Sequence, residues 1–241
     1  MAASWHAGIL LFPVRGFLYP VRGVLAVSIR VSWVAVALSA ILWLLIGVLA
    51  SCAYAGPIPD DAYKWRRQLT REAQAQWGIN APVADFAAQI HQESAWRPNA
   101  RSRVGAYGLS QFMPATATWI AGAYPELGPE PQPASPAWAI RALVTYDRHL
   151  WDRVSAADDC NRIAKVLSGY NGGNSWVYRD EKLAASKGLD PARWFGNVET
   201  VNSGRSAANW RENRQYPRRI LVSLSPVYVR NDWGSTSCDD F

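Results

Sequence analysis

Apolar residues in this chain recur at helical spacing, and the alternation that marks a half-buried strand appears only over residues 226–229. Val83, Phe86, Ala87 and Ile90 fall at i, i+3, i+4 and i+7, which predicts a helix over residues 80–94 with Asn80 as N-cap and Pro82 in the first turn. Residues 137–154 carry Ala139, Leu143, Tyr146, Leu150 and Val154 near helical spacing, and residues 209–224 carry Trp210, Tyr216, Ile220 and Leu224. Further helices are expected over 60–77, capped by Asp60 or Asp61 and closed by Gly78, and over 115–124 and 175–187. Another is expected to open at Asp158 or Asp159 and end at the glycines from Gly169 onward. Five prolines make residues 125–136 a connector that can be neither helix nor inner strand. The fold class expected is mainly α, in one globular domain.

Residues 31–50 carry no charge, which is about the length that spans a bilayer. Arg15, Arg22 and Arg30 precede them with no acid among them, so the charge bias puts the N-terminus in the cytoplasm and the rest of the chain outside. The organisation expected is a basic cytoplasmic segment at 1–30, a signal or membrane-anchor segment at 31–55, and a globular domain at 56–241. Ala53-Tyr54-Ala55 has the form of a signal-peptidase site, and the overlapping Leu49-Ala50-Ser51-Cys52 resembles a bacterial lipobox, in which Cys52 would be lipidated. An uncleaved anchor is the third reading; in all three the protein is exported, to the periplasm or cell envelope. Three cysteines in an exported chain leave one over: Cys160 and Cys238 can pair, with three unrelated thiols as the alternative. The formal charge of +6 is roughly halved when the three leader arginines are set aside, too mild a balance to argue for nucleic acid as a partner.

The chemistry concentrates in residues 90–114. Continuing the apolar stripe of the 80–94 helix by one step lands on Glu93 and Ser94, so this acid sits on the core side near a helix end, just before Pro98. Burial of a carboxylate costs enough that it either finds a partner or keeps its proton near neutrality, and a carboxyl that does the latter is a general acid. The plain alternative is a pair with Arg97 at i+4. After it, Gly105 and Gly108 bracket Ala106 and Tyr107 in a turn where backbone can approach a ligand. Asp85 and Asp147 lack any motif to recommend them as a second acid. His91 and His149 do not form a metal-ligand spacing, so neither a metal nor a cofactor is expected.

Glu93-Ser94, then Pro98, Ala100, Ser102, Gly105-Ala106 and Gly108-Leu109-Ser110-Gln111-Phe112-Met113-Pro114, resemble the soluble lytic transglycosylase family, whose catalytic domain has a goose-type lysozyme-like fold. Ser110 stands where the family pattern has Met, on what would be a groove side chain. Gly169-Tyr170-Asn171 resembles the family's Ala-Tyr-Asn motif. Glu212 to Pro217, reading E-N-R-Q-Y-P, is similar to its Glu-Thr-x-x-Tyr-Val element, with Asn213 and Pro217 departing. The resemblance spans residues 60–224.

The resemblance implies a peptidoglycan lyase that cuts between N-acetylmuramic acid and N-acetylglucosamine and leaves a 1,6-anhydromuramyl end, with peptidoglycan glycan strands as partner. Glu93 would be the catalytic acid and base. Ser94 would position the acid or the substrate acetamido group, Gln111 and Met113 would contact sugar, and Tyr170 would orient Glu93. Asn171 would hold its turn, and Tyr216 would line the substrate site. Trp194-Phe195 and the 125–136 loop are candidates for the groove walls. Two alternatives stand beside this reading: a hydrolytic muramidase on the same fold, which needs a water-activating acid, and a non-catalytic membrane-tethered peptidoglycan-binding component.

Overall fold

The computed structural model describes residues 57–238. The leader, with its apolar run, its A-x-A site and Cys52, lies outside them. The elements are α1 (Asp60–Trp77), α2 (Val83–Ser94), α3 (Pro114–Ala123), α4 (Pro136–Trp151), α5 (Asp159–Gly172), α6 (Asn174–Ser186), α7 (Ala207–Arg218) and α8 (Ser225–Arg230). Single-turn 3-10 segments sit at Pro125–Leu127 and Val198–Thr200, and a π turn, Arg219–Leu224, joins α7 to α8. Among the described residues extended pairing is limited to two isolated bridges, Arg101 with Tyr107 and Tyr107 with Phe112. Residues 226–229 are helical, because α8 continues directly from the π turn with Pro226 in its first turn.

α2 is the axis of the domain. Residues 81–90 are all buried, so the helix has no solvent face before its last turn, whereas the four-residue stripe predicts only one apolar side. Ala84, Ala87 and Ala88 supply the small surfaces that let α1, the π turn and α8 close around it. Asn80 stays in the preceding turn and Pro82 takes the N-cap position. The N-terminal end of α2 is covered by the chain terminus. Ala84 N donates to Ser235 O, and the buried Asp85 accepts from Thr236 Oγ1 at 2.7 Å and from Ser237 N at 2.8 Å. A disulfide, Cys160–Cys238, fastens that terminus to α5 across 78 residues, contributing about 2–4 kcal/mol by restricting the unfolded chain.

Several boundaries differ from expectation for local reasons. α1 starts at Asp60 behind Pro59 and buries Ala62, Leu69, Glu72 and Ala73, leaving Tyr63 half exposed. α4 starts at Pro136, capped by the Ser135 hydroxyl, and α5 is capped by Asp158. α5 runs through Gly169 to Gly172 and ends at Gly173, whose φ of 93° only glycine adopts cheaply. Gly172 is required inside it, since a Cβ there would stand 2.7 Å from Asn213 Nδ2 on α7. Trp194 is fully buried under the Arg214 guanidinium, so it belongs to the core and not to a groove wall.

Candidate active site

α2 ends abruptly after Ser94. Ala95 and Trp96 both take left-handed backbone (φ 49° and 62°), which costs a side-chain-bearing residue about 1–2 kcal/mol. The turn is held because the Trp96 indole is fully buried and donates to the Tyr228 hydroxyl at 2.7 Å. Arg97 turns back to donate from Nε to the Ser94 carbonyl at 3.0 Å, satisfying a helix-end acceptor, so it is not the partner of Glu93.

That partner is Tyr216. Its hydroxyl, on α7, donates to Glu93 Oε1, and the ring is 5% exposed. Glu93 keeps part of its surface open to a cleft of about 360 Å³. Burial is the main reason its pKa rises from 4.5 to about 7; the Tyr216 hydrogen bond opposes the rise and the Glu212 carboxylate adds to it. An acid that is about half protonated at neutral pH can both give and recover a proton. Tyr216→Phe removes the opposing hydrogen bond, so the expected result is a higher Glu93 pKa. With about 1.5–3 kcal/mol for a bond to a charged acceptor, the alkaline limb of activity should move up by about one to two pH units, with a lower maximum. A pH–rate profile of the variant checks this, and an unmoved limb would remove the pairing from the chemistry.

The cleft walls come from three places. Gln111, Phe112 and Met113 line one side, Tyr146 and Tyr170 another, and Asn171 and Glu212 a third. Gln111 has φ 46° and uses its amide NH2 on the Ala100 and Gly108 carbonyls, at 3.0 and 2.8 Å, which leaves its side-chain oxygen as the acceptor toward the cleft. Gly108 is needed for packing: a Cβ would meet the Pro133 carbonyl oxygen at 1.9 Å. The 125–136 loop thus buttresses the glycine turn from behind and does not line the cleft around Glu93.

Met113 is 42% exposed at the cleft rim. The Tyr170 hydroxyl donates to the Ser110 carbonyl at 2.7 Å, so this tyrosine braces the loop and does not bond Glu93, although its ring stands in the same cleft. Ser94 is buried, with its hydroxyl on the Ile90 carbonyl of its own helix at 3.2 Å, and does not line the cleft. Ser110 is also buried and donates to the Ala139 carbonyl at 2.7 Å, an anchor where the resemblance implied a groove side chain. Asn171 lines the cleft while its Oδ1 accepts from Asn213 Nδ2 at 3.0 Å. His91 and His149 are engaged by the Tyr228 and Tyr124 hydroxyls, at 3.1 and 2.7 Å.

Sequence reasoning missed the group that positions Tyr216. Asp180 on α6 is wholly buried and accepts from Arg214 Nη2 at 2.6 Å, with Arg205 at 3.8 Å. Arg214, two residues before the tyrosine, also donates to the Glu199 and Val201 carbonyls and to Asn213. A charged pair at positions 180 and 214 has no local spacing to reveal it. Glu212, in the E-N-R-Q-Y-P stretch, brings a second carboxylate to the cleft rim.

The profile of the transglycosylase SLT domain matches residues 68–191. Among curated proteins, membrane-bound lytic murein transglycosylase F of Ectopseudomonas mendocina (strain ymp) is 28% identical over 153 residues, covering 64% of this chain and 28% of that protein. The protein of the same name from Shewanella woodyi (strain ATCC 51908 / MS32) is 35% identical over 110 residues, covering 45% and 21%. This chain therefore spans between a fifth and a third of the length of those relatives. Among solved structures, an inactive mutant of lytic transglycosylase Slt from Pseudomonas aeruginosa aligns with a TM-score of 0.51 at 24% identity, over 73% of this chain and 25% of that one. The 70 kDa soluble lytic transglycosylase of Escherichia coli aligns with a TM-score of 0.50 at 20% identity, over 72% and 25%. The fold is thus the mainly α, lysozyme-like one, and with the domain profile matching more than half of its residues the chain belongs to the transglycosylase SLT domain family.

Proposed function

We propose that this protein is a peptidoglycan lytic transglycosylase that cleaves the β-1,4 bond between N-acetylmuramic acid and N-acetylglucosamine and closes a 1,6-anhydro ring on the muramyl sugar. The observation that carries the reading is Glu93: a carboxyl drawn up to a pKa of about 7, in a cleft lined by groups that can grip a sugar. Protonated Glu93 gives its proton to the glycosidic oxygen as that bond breaks. The acetamido oxygen of the muramyl sugar stabilises the cationic carbon, the recognised route where a second carboxylate does not serve as nucleophile. Glu93, now a carboxylate, takes the proton of the C6 hydroxyl, whose oxygen then bonds to that carbon. The acid returns to its starting state and no water is consumed.

Gln111, Met113 and Asn171 are assigned to substrate contact and Tyr216 to orienting the acid. Tyr170 and Ser94 hold the loop and the helix end. The names of the relatives and the family's membership support the substrate. Glu212 at the rim gives specific support to the second reading, a muramidase in which that carboxylate activates water. Mass analysis of digested peptidoglycan decides between them. Anhydro ends, one water lighter than reducing ends, are the expected product, and reducing ends alone would assign the enzyme as a hydrolase.

The leader is assigned to export and tethering, with residues 1–30 in the cytoplasm, 31–55 as signal or anchor and 56–241 as the catalytic domain in the cell envelope. The relatives named as membrane-bound support that placement. Lipidation of Cys52 is expected to appear as a mass shift lost in Cys52→Ser; identical masses would leave a cleaved or uncleaved apolar segment instead.

A further inference from the structure

Beneath the last turn of α2 lies a second carboxyl that the mechanism above does not use. Asp147, on α4, is wholly buried, as is Gln89, which precedes Glu93 by four residues and so lies on the same face of α2. Gln89 Nε2 donates to Asp147 Oδ1 at 3.4 Å. The other two atoms of the pair, Gln89 Oε1 and Asp147 Oδ2, are both buried acceptors with no donor. A buried carboxylate with one long hydrogen bond costs several kcal/mol, and an orphaned amide oxygen adds about 1–3 kcal/mol. One proton removes both deficits. Placed on Asp147 Oδ2 and donated to Gln89 Oε1, it closes a ring of two hydrogen bonds between an acid and an amide.

We propose that Asp147 is a positioning residue for Glu93: it holds a proton throughout the working range of the enzyme and shares it with the Gln89 amide, locking the turn that carries the catalytic acid. The titratable groups facing Asp147 are Glu93 on α2, Tyr146 on α4, Tyr170 on α5 and Tyr216 on α7, none of them cationic. Burial first, and then the Glu93 charge, push its carboxyl well above the usual range. Neutrality matters to the chemistry. An ionised Asp147 would place an anion behind Glu93 and hold the catalytic proton more tightly, spoiling the acid; a neutral one fixes the geometry without that effect.

The inference concerns the site as read under Proposed function, but one arm of its test needs no turnover. Infrared spectra of Glu93→Gln and of Glu93→Gln/Asp147→Asn are compared at about pH 8, where ordinary carboxyls are ionised. A protonated-carboxyl C=O band present in the first and lost in the second is the expected result, and identical spectra in that region would overturn the proposal. The second arm uses kinetics. Asp147→Leu breaks the ring and orphans both polar groups of Gln89, so its kcat and melting temperature are expected to fall. Asp147→Asn rebuilds the ring as amide to amide, so it is expected to restore kcat, with the alkaline limb of the pH profile where the parent enzyme has it. If Asp147→Asn loses activity as Asp147→Leu does, or moves that limb, Asp147 works as an anion and the proposal fails. Should digestion products instead refute the transglycosylase reading, the infrared result still decides the state of Asp147.

Discussion

Glu93→Gln is expected to lower turnover of peptidoglycan by about 10²- to 10⁴-fold, the contribution of a positioned acid or base, while making the protein harder to unfold above neutral pH. The two effects have one cause. In the unfolded chain this carboxyl ionises near 4.5, and in the folded protein near 7, because burial disfavours the charge. Below 4.5 it is protonated in both states and makes no difference to stability. Between the two values the unfolded chain releases its proton while the folded one keeps it, so stability falls as pH rises. Above 7 the penalty is constant, on the order of 3 kcal/mol. Glutamine keeps the shape and cannot ionise, so the penalty disappears. Thermal melts at about pH 4 and about pH 8 should therefore show the variant gaining on the parent mainly at the higher value. A variant that is inactive and equally or less stable at both would mean that glutamine disturbs the fold; one that still clears cell walls would remove Glu93 from the chemistry.

Asp180→Ala is expected to cost about 3–5 kcal/mol of stability, the usual consequence of taking one partner from a buried ion pair. Arg214 would lose its 2.6 Å partner and Arg205 its nearby anion, and both guanidinium groups lie in the protein interior. The effect should reach the active site, because Arg214 fixes the turn of α7 that presents Tyr216 to Glu93. Denaturant melts should show an early transition, and kcat measured well below that transition should fall as well. Asp180→Asn keeps an acceptor for one N–H and should lose less. A stability within about 1 kcal/mol of the parent, in the range of an exposed pair, would show that the network is dispensable.

The position of α7 has a further local cause. Pro217 lies inside the helix, where it lacks an N–H and its ring crowds the preceding turn, and the chain widens into the π turn Arg219–Leu224 directly after it. Pro217 appeared in the sequence as a departure from the family element. In the structure it stands next to the tyrosine that bonds the acid, and helix irregularity of this kind is frequent at functional sites.

How much could be read in advance differs by feature. The helical class was legible from spacing, since apolar residues at i, i+3 and i+4 have one geometric meaning whatever surrounds them. The candidate acid was legible as well, because the Glu93 motif and the stretch from Gly108 to Pro114, which meet in one cleft, are close together in the chain. The division of labour between Tyr170 and Tyr216 was not. Both are aromatic residues in moderate motifs, and which hydroxyl reaches a carboxylate on another helix depends on how α5 and α7 pack against α2. Ser94 likewise read as a neighbour of the substrate, because adjacency in sequence says nothing of the 100° turn that points it into the core.

Local order along the chain thus determined the helices, their approximate ends and the place of the candidate acid, since each depends on residues within a few positions of one another. Tertiary packing alone decided that α2 is buried on every side before its last turn, that Asp85 and Asp147 are buried away from the cleft, and that Tyr216 is the donor to Glu93. Those outcomes rest on desolvation and on hydrogen bonds between residues as far apart as 93 and 216, and both arise only when distant segments exclude water together.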